Sequence, residues 1–302
     1  MPVFRCLGLA LVLVLVAQTP VLAGALKVSV GIEPLREFVE RVGGDLVEIT
    51  VMVPAGADPH SYDPKPKQMA AMAQARLYVS LGLEFEEAWV PRFAAANRNL
   101  IVVAADRGVV KLPMAEHEDH GQPGRKPVAK SSPAAKGHEG LDPHIWLSPA
   151  LVKIVAQNIR DALVAVDPVH ETVYRANLAR FLTEIEALHV ALTKTLEGCA
   201  GAKFMVFHPS WGYFAAAYGL VQEAIEAQGK EPAPRQLAGI IQEARKDGIK
   251  VVFVEPQYSD KAAKTVAQAI GGRVLKIDPL SGQWAANLKA MAQTIREAAC
   301  NR

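Results

Sequence analysis

The chain has 302 residues, half of them hydrophobic, with 33 basic and 31 acidic side chains and a formal net charge of +2. That length exceeds one ordinary core and points to two domains or lobes. The near-balanced charge excludes the basic footprint of a nucleic-acid binder and gives no attraction to an anionic membrane surface.

Residues 1–23 read as a cleaved secretory signal. Positions 1–5 carry Arg5, positions 7–17 form an apolar run too short to span a bilayer, and Val21-Leu22-Ala23 supplies small residues before Gly24. No Leu-x-x-Cys pattern of a bacterial lipoprotein follows, and no later stretch is long and apolar enough to be transmembrane, so a soluble exported protein is expected. Of the three cysteines, Cys6 lies in the signal. Cys199 and Cys300 remain, an even pair in an exported chain, which favours a disulfide.

From residue 24 to 166 the pattern alternates. Strands are expected at 26–32, 47–53, 77–81 and 100–104, and helices at 34–42, 67–75 and 85–96. Such alternation argues a parallel sheet with helices on its faces. Residues 113–140 break it, being rich in Gly, Pro, Ser, Lys and Ala and carrying His117, His120 and His138 among acids. That composition suits a surface loop able to collect metal weakly or simply to stay solvated. Ser148-Pro149 reads as an N-cap and first helical residue of a helix running to 166. Asp167-Pro168 then starts a helix to 198. Its stripe of Tyr174, Leu178, Phe181, Leu182, Ile185, Leu188, Leu192 and Leu196 steps by three and four, and its length suits bridging two lobes. His170 and His189 on it read as ordinary surface residues. Residues 199–302 repeat the alternation, with strands at 203–207, 251–254 and 274–277 and helices at 236–246, 260–270 and 283–299. The fold class is therefore α/β, two lobes joined by one long helix.

Four potential ligands stand next to proline. Asp-Pro-His occurs twice, ending at His60 and His144; His208 precedes Pro209 and Asp278 precedes Pro279. Proline restricts its own φ and the residue before it, so these loops lose little entropy on binding an ion. Three imidazoles and one carboxylate, two from each half, suit Zn2+. Mg2+ and Ca2+ call for oxygen ligands, and Mn2+ and Fe2+ rank below zinc at a nitrogen-rich site, whereas copper and nickel are not separated by affinity.

Pro54-x-Gly56-x-Asp58-Pro59-His60-x-Tyr62-x-Pro64, the acidic His-containing loop, Asp142-Pro143-His144-x-Trp146-Leu147, Phe207-His208-x-x-x-x-Tyr213-Phe214 and Asp278-Pro279-Leu280 resemble, in order over the mature chain, the zinc-binding periplasmic solute-binding proteins of ABC importers. The resemblance implies two α/β lobes on one rigid linking helix with the metal between them, and His60, His144 and His208 as ligands. An acidic fourth position falls on Asp278, where some members use water or another carboxylate. It further implies a monomeric, non-enzymatic carrier in the periplasm that delivers Zn2+ to an inner-membrane permease. Manganese-type relatives carry Glu at the position of His208, so a manganese or iron carrier is the alternative. A second alternative is an exported zinc hydrolase or lyase, with three His and a metal-bound water. It lacks a His-Glu-x-x-His helix, and Glu255 is its best candidate base. A surface adhesin rests on analogy alone.

Overall fold

The structure, a computed structural model, describes residues 24–114, 140–226 and 230–300. The signal segment and His117, His120 and His138 lie outside them. Four strands, β1 (Leu26–Val30), β2 (Val47–Val51), β3 (Leu77–Ser80) and β4 (Ile101–Ala104), pair in parallel in the order β2-β1-β3-β4. Helices α1 (Glu33–Gly43), α2 (Pro66–Met72) and α3 (Glu84–Ala96) connect them. After α4 (Pro149–Val166) and α5 (Glu171–Thr195), the second sheet holds β5 (Lys203–Val206), β6 (Val221–Ala224), β7 (Val251–Val254) and β8 (Arg273–Lys276). It repeats the topology as β6-β5-β7-β8, again all parallel. Its helices are α6 (Gly212–Ala217), α7 (Pro234–Lys246), α8 (Lys261–Ala269) and α9 (Trp284–Ile295). The central strand β7 is an apolar run, Val-Val-Phe-Val, buried along its whole length as expected of a parallel strand covered on both faces.

The expected pattern left out α6 and β6. The latter is an edge strand, Val-Gln-Glu-Ala, with an exposed first residue and no apolar alternation. The helix expected to 299 gives way after Ile295 to one π-helical turn, Arg296–Cys300. Ser148 precedes α4 as expected, but its side chain makes no capping bond. Cys199 and Cys300 are joined, tying the end of α5 to the turn after α9.

Helix α5 spans 25 residues, about 37 Å at 1.5 Å per residue. It buries Tyr174, Leu178, Phe181, Ile185, Leu188 and Leu192 and packs against α4, α1 and α9. One continuous hydrophobic cluster consequently runs from the first sheet through α5 to Phe204, Val206 and Phe253 of the second. At its centre Trp284 meets the Phe38 ring edge-on at 5.1 Å and lies 6.4 Å from Phe181. The Trp284 backbone N–H donates to Glu37 Oε2 at 2.7 Å and its indole to the Trp146 carbonyl. Trp146 in turn donates to the Pro279 carbonyl. Residues from the first and second halves thus interlock around Trp284, while a separate cluster that includes Phe207, Ile240, Val252 and Val266 lies wholly within the second lobe.

Helix α3 is held by Glu86, a buried acid three residues past the N-cap Leu83. Its Oε2 accepts the N–H groups of Leu81, Gly82 and Leu83, and its Oε1 accepts the Tyr78 hydroxyl. Burial pushes this carboxyl up to about 7 despite those four bonds. Because the folded-state value lies above the ordinary 4.5, the folded chain holds the proton more tightly, and stability falls as pH rises between the two values. Glu86→Gln is expected to flatten that pH dependence of the metal-free protein's urea midpoint. Trp284→Ala is expected to cost about 3–5 kcal/mol in the same assay. Unfolding should stay a single transition, since the larger of two hydrophobic clusters runs through both lobes; two separated transitions would show lobes that fold alone.

Candidate metal centre between the lobes

His60, His144 and His208 come from three separate loops and meet in the cleft. His60 lies between β2 and α2, where the Asp58 carboxylate accepts its backbone N–H at 3.0 Å. The second Asp-Pro-His builds the same turn, Asp142 Oδ1 accepting the His144 N–H at 2.9 Å just before α4. His208 follows β5 by two residues, its N–H donating to Glu255 Oε2 at 3.3 Å. One nitrogen from each ring lies within 4.8 Å of the others. His60 Nε2 and His208 Nε2 are 3.1 Å apart, and His208 Nε2 and His144 Nε2 3.3 Å. A tetrahedral ion with Zn–N bonds of about 2.0–2.1 Å separates its ligand nitrogens by about 3.3–3.4 Å. The spacing is that of an ion's coordination edge.

Behind each imidazole stands a carboxylate. His144 Nδ1 lies 2.7 Å from Asp142 Oδ1, His208 Nδ1 2.8 Å from Glu226 Oε1, and His60 Nδ1 2.9 Å from Glu84 Oε2. An acceptor at Nδ1 places the proton there, so each Nε2 turns a lone pair toward the other two. Burial, with the neighbouring imidazoles, takes His208 down to about 4 against the pull of Glu226, so this ring is neutral at pH 7. At His60 burial also works downward, but the hydrogen bond and charge of Glu84 outweigh it and raise the value. Three lone pairs converge on one point, a geometry that a cation satisfies.

Aromatic and small residues close the walls. Tyr258 stacks on His208 at 5.0 Å and donates to Asp58 across the cleft, while Trp146 flanks His144 at 5.1 Å. The Tyr213 hydroxyl donates to the Asp142 carbonyl and accepts the Leu112 N–H. Gly212 packs closely on the site, where a Cβ would stand 3.1 Å from Asp142 Oδ2 and press on that side chain. Glu255, pushed up to about 8 by burial, is occupied by the His208 N–H and the Ser210 hydroxyl, so it faces inward rather than toward a substrate.

Asp278 does not join the imidazoles. Its Oδ1 accepts Gln257 Nε2 at 2.9 Å and the Leu280 N–H at 3.1 Å, an arrangement that shapes the turn before α9. Sequence reasoning assigned no role to the three backing carboxylates. Asp142 stood inside the repeated motif. Glu84 opens a helix, and Glu226 follows the unpredicted strand β6.

A two-lobed α/β protein with a nitrogen-donor cation site between its lobes is the class these features define. The chain belongs to the family described as zinc-uptake complex component A, periplasmic, whose profile matches residues 28–298. Among curated relatives, the zinc-binding protein AdcA of Streptococcus pyogenes is 27% identical over 272 residues, covering 88% of this chain and 53% of AdcA. The chain thus spans about half the length of the streptococcal relatives it matches. The high-affinity zinc uptake system protein ZnuA of Bacillus subtilis is 28% identical over 82% of this chain and 76% of that protein. A crystal structure of ZnuA superposes with a TM-score of 0.81 at 41% identity, over 91% of this chain and 99% of that one.

His60→Ala, His144→Ala and His208→Ala are each expected to abolish most of the zinc-dependent rise in melting temperature. In the unaltered protein that rise corresponds to about 2.7 kcal/mol at zinc one hundred times Kd. Differential scanning fluorimetry with and without zinc reads it, and a full rise in any of the three would remove that residue from the ligand set.

Proposed function

We propose that this protein captures Zn2+ between its lobes outside the cytoplasm and delivers it to an ABC-type permease, without catalysing a reaction. The observation that carries the reading is the convergence of three imidazole nitrogens, each backed by a carboxylate, in a cleft between two lobes. His60, His144 and His208 supply three ligands. Among the described residues no further His, Cys, Asp or Glu shares their 4.8 Å group, so we take these three imidazoles as the ligand set supplied by the described His, Cys, Asp and Glu side chains. Nitrogen donors favour zinc over manganese by both ligand type and affinity order.

Carriage, rather than turnover, fits the surroundings. The acid best placed to act as a base, Glu255, is buried and engaged with backbone and Ser210. Among the described residues no helix is long and apolar enough to cross a membrane. We take the protein to be exported by its leading segment and to act as a monomer. The core shared between the lobes favours small movement on binding. Family membership and the ZnuA and AdcA names of its relatives support delivery to a permease, as a component of an uptake complex.

The protein purified without added metal is expected to hold one zinc per chain and to keep it against a large excess of manganese, as read by elemental analysis. Manganese displacing zinc at comparable concentration would overturn the assignment. Small-angle scattering is expected to show little compaction on zinc binding; a wide closure would contradict the rigid linkage.

A further inference from the structure

The three imidazole–carboxylate pairs are not equivalent. The side chains of His144 and Asp142 are 3% and 4% exposed, and those of His208 and Glu226 6% and 4%, but His60 is 20% exposed and Glu84 47%. His144 leans on Trp146 and His208 on Tyr258, whereas the described ring partners of His60 are the two other imidazoles. Its loop, between Val51 and Pro66, holds no helix or strand. The site therefore has a dry, walled half built of two imidazoles and one arm that faces water.

An ion bound to three nitrogens leaves by losing them one at a time, each bond being exchanged for water. Water reaches His60 and is kept from the other two, so that exchange starts at the His60 bond, and arrival ends there. The residue that holds the His60 ring in place is Glu84, anchored on the first turn of α3 by the buried Glu86 cap. Its exposed charge also stands at the mouth of the cleft, where it attracts an approaching cation. We propose that Glu84 is a positioning residue that governs the rate of Zn2+ entry and exit through His60, while the buried Asp142 and Glu226 govern how tightly the ion is held once inside. This inference rests on the zinc-carrier reading above.

Two effects of Glu84 are separable, its charge and its reach. Glu84→Gln keeps an acceptor for His60 Nδ1 and removes the charge; Glu84→Asp keeps the charge and shortens the reach; Glu84→Ala removes both. Stopped-flow zinc association at several salt concentrations, and dissociation into excess chelator, read the two rates. Melting of the metal-free variants reports on the fold. Glu84→Gln is expected to associate a few-fold more slowly, with a flatter salt dependence. Glu84→Asp is expected to keep the salt dependence yet release zinc about 10-fold faster. Glu84→Ala should show both changes. Glu226→Gln should speed release while leaving the salt dependence of association intact. Wild-type rates and salt slope in all three Glu84 variants would overturn the proposal. If the unaltered protein itself takes up no zinc, the carrier reading fails and not merely the role of Glu84.

Discussion

Everything in the site depends on the hydrogen bond from each histidine Nδ1 to a carboxylate. That bond decides which nitrogen carries the proton, and so which nitrogen is free to bind a cation. It also aims the ring: Asp142, Glu226 and Glu84 approach from outside, and the three Nε2 atoms are left facing one another at 3.1 and 3.3 Å along the two measured edges. Lone pairs so placed converge where a cation would be shared among them, and packing holds the loops from which the histidines project.

That packing is common to both lobes. Trp284 of α9, Phe38 of α1 and Phe181 of α5 touch, and Trp146, two residues beyond His144, donates to the Pro279 carbonyl of the second half. Pulling the lobes apart would open this core to water at roughly 25 cal/mol for each Å2 of apolar surface exposed. For the proposed ligands His60, His144 and His208, loops held in this way leave little ordering to oppose binding. The disulfide from Cys199 to Cys300 binds the end of the linking helix to the same region.

The charge around the centre is held in check by burial. Glu255 sits beside His208 but is pushed up to about 8, which favours its neutral form at pH 7. A carboxylate is bonded to each Nδ1, with the charges of Asp58 and Glu226 also acting on His60, and of the three bonded carboxylates Glu84 alone is substantially open to solvent. Affinity and exchange can therefore be divided among residues of the same chemical type by where they stand relative to water.

Two parallel sheets, a long connecting helix and the three loops that carry the proposed ligands are legible in the sequence, for a physical reason. Apolar periodicity, β-branched runs and proline beside histidine act over a few residues, and these local signals survive whatever the rest of the chain does. The Asp-Pro-His turns show it, since both fold through the same carboxylate-to-backbone bond two residues on. What the tertiary structure decided concerns groups far apart in sequence. Asp278 looks like His208 in its setting, a polar residue before proline at a strand end, yet its carboxylate turns to Gln257 and Leu280. Glu226 follows an edge strand too short and too polar to announce itself, and reaches His208 only because β6 pairs with β5. Glu84 meets His60 only because the Glu86 cap sets where α3 begins. Residue type and local turn were written in the chain; which carboxylate faces which imidazole, and which faces water, came from the packing of sheets and helices that no local pattern encodes.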